Sequence, residues 1–237
     1  MADRIILAIE TSQREGSVAL RDAAGDDHAE PLLPSRRHDD DLMPAIDRMM
    51  KRAGLTPRDL DAVGVSIGPG GFTGVRIAVS TAKMLAMTLD VNVIAVPTAL
   101  VVAEGCRSAE VKDGPIIVAL SSKRDSFWST TLLRRSEGWT IEGEPGLADA
   151  ANLSLTETEA LLADRYLPEV ARRRAAESSI PILEPRFEAG ACLRLAARRL
   201  AAGEQSDPLT LRPLYPRPPE AVSLLERRRV EGDASSR

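Results

Sequence analysis

Apolar residues in this chain fall in short blocks whose spacing switches between continuous, alternating and helical. Residues 5–9 are a continuous apolar run, the pattern of a strand buried on both faces. Residues 10–16 form a polar turn and residues 17–21 open a second strand, so the pair predicts a hairpin. Gly25 and Asp26–Asp27 mark a charged loop. From residue 38 to 53, Leu42, Ile46, Met49 and Ala53 recur at helical spacing. Asp39, Asp40 and Asp41 suit the positive end of that helix, Pro44 its first turn and Gly54 the C′ position. Val63, Val65 and Ile67 alternate as in a strand. A helix follows from residue 75 to about 89, and a short strand near residues 93–96 closes this half.

The second half opens with a short helix over residues 98–107. Two strand-like runs, 115–120 and 127–133, flank the polar stretch S-S-K-R-D-S and predict another hairpin. Ser154 and Glu157 satisfy an S-x-x-E capping box, predicting a helix over residues 155–163. Arg172, Arg173 and Arg174 read as a solvated helix face, and a last helix spans residues 189–202. Residues 208–219 carry five prolines and must run extended. From Glu220 the chain is charged and poorly patterned, as expected of a disordered tail. No repeat is obvious, although each half opens with strands and continues with helices.

The most constrained stretch lies between the strand at 63–67 and the helix behind it: Gly68, Pro69, Gly70, Gly71, Phe72, Thr73 and Gly74, followed by Val75 and Arg76. A strand-to-helix turn is where backbone N–H groups can face a phosphate, and Thr73 can cap the helix. The spacing matches neither G-x-x-x-x-G-K-S/T nor G-x-G-x-x-G. A phosphate cradle and a close-packed structural turn therefore both remain open.

Composition narrows the function classes. The net charge of −4 gives no global attraction to nucleic acid, and 27 of the 31 basic residues are arginine. Cys106 and Cys192 stand alone without a C-x-x-C, which fits a reducing cytoplasm. The N-terminal residues show no signal-peptide pattern, and no apolar run approaches the ~20 residues of a membrane span. Glu10, Thr11 and Ser12 follow the first strand, where nucleotide-binding folds place an acid and a hydroxyl; a polar hairpin turn is the plainer reading. His38 with Asp39–Asp41 cannot easily converge on one ion from adjacent helix positions, so no metal site is expected. With two histidines and no G-x-S-x-G, a catalytic triad is not expected either.

Methionines gather on two helices: Met43, Met49 and Met50 on the first, Met84 and Met87 on the second. The second also carries Ala78, Ala82 and Ala86 at intervals of four, a smooth stripe that another helix can approach. Helices that simply cover their own sheet would explain part of this set. Met49 and Met50 are neighbours that should not share one face, which favours a helix-pair interface with another protein.

Five blocks carry a family resemblance. I-L-A-I-E-T-S…G-S-V-A-L in residues 6–20, H-D-D-D-L-M-P-A-I-D in 38–47, V-G-V-S-I-G-P-G-G-F-T-G-V-R-I-A in 63–78, A-V-P-T-A-L in 95–100 and R-P-L-Y-P-R-P-P-E-A in 212–221 resemble the TsaB family, also called YeaZ. The glycine block is shared mainly with the paralogous, glycoprotease-like TsaD family, whose H-x-x-x-H metal motif is absent from this sequence. The resemblance implies an α/β, actin-like fold of the sugar kinase/heat-shock ATPase type, with two lobes and mixed sheets. Residues 1–100 would form the first lobe. A reduced second lobe would span 101–219, its last helix packing back on the first, before a tail over 220–237.

The same resemblance implies a non-catalytic scaffold in the making of threonylcarbamoyladenosine beside the anticodon of tRNAs reading codons that start with A. The chain would bind a TsaD-like catalytic subunit through paired helices, using His38, Leu42, Met49, Met50, Arg76, Val79, Ala82, Lys83 and Ala86. A TsaE-like ATPase and tRNA would be reached through the complex, with ATP and magnesium at partner subunits and no cofactor in the isolated chain. Alone, the chain would form a homodimer. Charging Met49 or Ala82 should then abolish partner binding and leave the fold intact. Departures fall at Glu10, where the family has Asp, and at Ser121 and Asp125 in the second-lobe hairpin. The alternatives are an actin-like metallopeptidase or small-molecule kinase, or a self-contained homodimeric regulator. Binding of Mg-ATP by the isolated chain would favour the kinase.

Overall fold

The computed structural model describes residues 4–33, 38–106, 111, 114–122, 126–151 and 153–215, with backbone alone for 38–40. The first sheet contains β1 (Ile6–Glu10), β2 (Ser17–Arg21), β3 (Asp27–Pro31), β4 (Ala62–Ser66) and β5 (Asn92–Val96) in the order β3-β2-β1-β4-β5. β1, β2 and β3 form an antiparallel meander, while β4 and β5 join β1 in parallel. Helix α1 (His38–Arg52) joins β3 to β4, α2 (Phe72–Leu89) joins β4 to β5, and α3 (Thr98–Gly105) follows β5.

The second sheet contains β6 (Pro115–Ser121), β7 (Ser126–Arg135), β8 (Gly138–Asp149), β9 (Ala160–Ala163) and β10 (Ile182–Leu183), in the order β10-β9-β6-β7-β8. Read from β8, its strands repeat the order and directions of the first sheet: an antiparallel meander, then two parallel strands. Helices α4 (Glu169–Glu177) and α5 (Ala189–Ala201) then correspond to α2 and α3. The duplication that sequence did not reveal is therefore a duplication of topology. Among the described residues the second unit has no counterpart of α1; the two mixed-sheet units fit the α/β, actin-like expectation.

The central strands of each sheet are buried on both faces. Leu7, Ile9, Val18, Leu20, Val63 and Val65 face α1 and α2, and each such side chain contributes about 1.5–3 kcal/mol. Smaller residues, Ala8, Ala19 and Ala62, face α5, which answers with Ala191, Cys192 and Ala196. At Gly64 the approach is closest, since a Cβ there would lie 2.6 Å from Ala196 Cβ. α3 packs beside α5 and against the second sheet, joining Val118, Leu132 and Leu162 to one continuous core. α4 covers the outer face of the second sheet through Ala171 and Ala175.

Several expectations need correction. Residues 27–31, read as loop, form the exposed edge strand β3; its backbone pairs with β2 despite a polar sequence without alternation. The helix expected over 155–163 does not form. Ala160–Ala163 is instead a fully buried strand between β6 and β10, a short apolar run that periodicity cannot separate from helix. Glu157 there has a left-handed backbone (φ 59°), incompatible with the third position of a helix. Pro44 lies inside α1 rather than in its first turn. At the other end of α1, Gly54 N–H reaches Lys51 O and Leu55 N–H reaches Met50 O, the paired bonds of a Schellman cap. Of the three arginines read as solvated, Arg172 donates to Leu167 O and Asp164 O, and Arg174 to Ala150 O and Ala151 O; only Arg173 is fully exposed. Residues 216–237, with the expected tail, lie outside the described residues.

Candidate functional site

The glycine turn closes on the first hairpin turn. Gly71 N–H donates to Ser12 O at 2.6 Å, and Thr11 Oγ1 donates to Gly74 O at 2.7 Å. Ser12 N–H in turn donates to Glu10 Oε1 at 2.6 Å, and Glu10, Thr11 and Ser12 are all fully buried. Gly70 is pressed against this hairpin: a Cβ there would fall on Ser12 O and 2.6 Å from Ser12 Cβ. Gly68 O accepts from Thr98 N–H at 2.9 Å, which ties the turn to α3. The turn thus spends its contacts on its own chain. These contacts are those expected of a close-packed structural turn. Thr73 does not cap α2; the N-cap is Gly71, without a side-chain bond, and Phe72–Gly74 form the first turn.

α1 and α2 lie side by side on the first sheet, but most of their expected interface residues face inward. Leu42, Ala45, Ile46, Met49 and Met50 fall at i, i+3, i+4, i+7 and i+8, the wide apolar face of a core-facing helix. Met49 and Met50 are therefore 1% and 2% exposed despite being neighbours. Val79, Ala82 and Ala86 are buried too, so the Ala78, Ala82 and Ala86 stripe receives the protein's own sheet and helix. Leu42, Met49, Met50, Val79, Ala82 and Ala86 offer no free side chain to a partner, and charging Met49 or Ala82 would disturb the core. The side chain of His38 lies outside the described residues. Asp41, read as a helix-dipole acid, is buried; it accepts from Leu33 N–H at 2.7 Å and from Arg48 Nη1 at 3.2 Å.

What α2 turns outward is a different set. Phe72, Arg76, Ser80, Met84 and Met87 are exposed at i, i+4, i+8, i+12 and i+15, one continuous stripe. Phe72 is 59%, Met84 49% and Met87 57% exposed, and Met43 on α1 adds a further exposed methionine. The i+4 spacing was readable beforehand; the alanine stripe drew attention to the wrong side. Half-buried Lys83 donates to Leu209 O and Leu211 O, at 3.3 and 3.1 Å. Residues 206–215 return from α5 across this helix, a contribution that sequence reasoning missed. Leu211 enters the core, Leu214 N–H donates to Ile67 O at 2.7 Å, and the Tyr215 ring sits 5.5 Å from that of Phe72.

Other candidate chemistry is muted. Burial pushes the Cys192 thiol well above its usual range, with the nearby Glu10 carboxylate adding to the effect, so it is no nucleophile at neutral pH. His28 pairs with Asp22 at 2.9 Å on an exposed strand. Among the described residues, no group of three or more His, Cys, Asp or Glu is placed to hold a metal, and no helix is long and apolar enough to cross a membrane. In the second unit Ser121 Oγ donates to Asp164 Oδ1 at 2.6 Å; the hairpin tip with Asp125 lies outside the described residues.

Comparison with known proteins places this geometry. The family described as TsaD, tRNA N6-adenosine threonylcarbamoyltransferase, matches residues 29–189. The chain is 31% identical over 178 residues to the tRNA threonylcarbamoyladenosine biosynthesis protein TsaB of Escherichia coli, covering 73% of this chain and 67% of that protein. It is 30% identical over 145 residues to the protein of the same name from Buchnera aphidicola of Schizaphis graminum, covering 58% and 65%. The chain thus spans about two thirds of the length of these relatives. YeaZ from Pseudomonas aeruginosa superposes with a TM-score of 0.75 at 22% identity over 89% of this chain and 100% of that one, which establishes the fold alone. A match across both sheets, and relatives that share the glycine turn's host fold, make this chain a member of the TsaB (YeaZ) family, paralogous to the TsaD transferases.

Proposed function

We propose that this chain is a non-catalytic subunit in the biosynthesis of threonylcarbamoyladenosine on tRNA, and that it binds a TsaD-type transferase through the outer face of α2. One observation carries this reading: a stripe of half-exposed apolar side chains, Phe72, Met84 and Met87, on a helix whose opposite side is fully packed. Large exposed apolar residues in line on one helix mark a helix-binding surface, and methionine adapts to such contacts. The glycine turn supports it differently. Its Gly71 N–H and Gly74 O hold the start of α2 against the first hairpin, so it sets the position of α2. ATP, magnesium, a TsaE-type ATPase and tRNA belong, in this reading, to partner subunits.

The test is calorimetric titration of the full chain with a TsaD-type subunit from the same bacterium. Met84→Glu should abolish binding and leave the melting curve unchanged. Wild-type affinity in that variant would reject the α2 face. Tight binding of Mg-ATP by the chain alone would reject the non-catalytic role.

A further inference from the structure

We propose that residues 206–215 form part of the same docking face, and that Arg76, stacked on the Phe72 ring, takes a carboxylate from the partner. The inference rests on the reading above, because its occupant is the TsaD-type subunit. Residues 206–215 run along α2 as a strap. Ser206 N–H donates to Val93 O at 2.8 Å and Ser206 Oγ accepts from Ala95 N–H at 3.1 Å, closing the edge of β5 near the C-terminal end of α2. Lys83 then grips two strap carbonyls, Leu211 is buried, and Tyr215 ends beside Phe72 at the N-terminal end of α2. The strap therefore borders the apolar stripe along its length. It adds Leu209, 71% exposed, to the Met87 end and Tyr215 to the Phe72 end.

Arg76 is the charged member of this surface. Its guanidinium carbon lies 4.4 Å from the Phe72 ring centroid, a cation–π contact that holds the head group at the surface. Among the described residues no carboxylate pairs with it. α2 contains no Asp or Glu from Phe72 to Leu89. The acid of the strap, Asp207, is engaged with Leu209 N–H at 2.8 Å near the opposite end. Packing α2 against α2 of a second copy would bring Arg76 and Lys83 toward like charge. Charge complementarity therefore favours a different chain, one that presents an acidic side chain on an apolar helix. An arginine stacked on Phe72, whose ring in turn lies beside Tyr215, is the composition of an interface hot spot.

The experiment measures binding of the full-length wild type, Arg76→Gln, Tyr215→Ala and Met84→Glu to the same TsaD-type subunit at two salt concentrations, with melting curves for each. Arg76 is exposed, so its variant folds whatever happens at Tyr215. The proposal expects Arg76→Gln and Tyr215→Ala each to weaken binding roughly tenfold or more. It also expects Arg76→Gln to flatten the dependence on salt. Wild-type affinity in both variants, with binding lost in Met84→Glu, overturns the strap and carboxylate and leaves the α2 reading standing. Absence of binding by the wild type overturns both. A wild-type dimer in sedimentation that Arg76→Gln dissociates, with transferase binding unchanged, overturns the choice of occupant in favour of a second copy.

Discussion

The backbone N–H of Gly71 donates to the carbonyl of Ser12 across 2.6 Å, and this bond joins the glycine turn to the first hairpin. The second unit makes a related link between its own hairpin and the turn after its fourth strand, from Ser121 Oγ to Asp164 Oδ1 at 2.6 Å. Both sheets thus tie the first β-turn to the loop that launches a helix. In the first unit the tie is made by backbone, which requires the two chains to touch and so requires glycine.

Gly70 is where that requirement is sharpest. A methyl group there meets Ser12, whereas at Gly71 it would lie 3.5 Å from Ser12 O, an ordinary contact. Gly70→Ala should cost about 1–3 kcal/mol of stability, with Gly71→Ala costing clearly less. Urea unfolding of the two variants checks the order, and equal stabilities would contradict the close packing.

The sheet and α5 meet at Gly64 and Ala196 with no room for a second methyl group. Gly64→Ala should destabilise by about 1–3 kcal/mol, and Ala196→Gly in the same chain should recover part of the loss beyond additivity. A double-mutant cycle with no coupling would mean that the contact carries no strain.

The methionines separate core from surface. Met49→Ala removes a 1% exposed side chain from between α1 and the sheet, and should cost about 2–5 kcal/mol. Met84→Ala, at 49% exposure, should stay within about 0.5 kcal/mol of the wild type. Thermal melts of both variants distinguish them. The reverse order would require both α1 and α2 to be turned about their axes.

Thiol chemistry reports on the same packing. Cys192 is fully buried on the sheet-facing side of α5 and its thiol is held protonated by burial, while Cys106 is half-buried at the end of α3. At pH 8 a thiol reagent should label Cys106 first and Cys192 only as the protein unfolds. Equal rates in the native state would contradict the burial of α5.

Much of the first unit was readable from periodicity. The β1–β2 hairpin, α1, α2 and β5 fall within a few residues of expectation, because a strand buried on both faces and a helix with a wide apolar side leave unambiguous local patterns. β3 was missed because its partner is chosen by the neighbouring strand and its own side chains lie at the surface. β9 was mistaken for helix because four consecutive buried apolar residues have no period, and a capping-box match outweighed them. The Phe72 stripe was readable in spacing, but Tyr215 is brought to it only by a chain reversal from 143 residues away.

Gly68–Gly74 was marked by sequence as the constrained turn, and the helices behind it as rich in methionine and alanine. Composition and spacing alone determined that much, together with the family resemblance. Tertiary structure decided which side of those helices is inside. It seated Met49, Met50 and Ala82 against the sheet, turned Phe72, Met84 and Met87 outward, and packed the glycine turn against Ser12. The physical reason is that apolar side chains pack by the same contacts against their own sheet and against another protein. Only the position of the sheet tells the two surfaces apart.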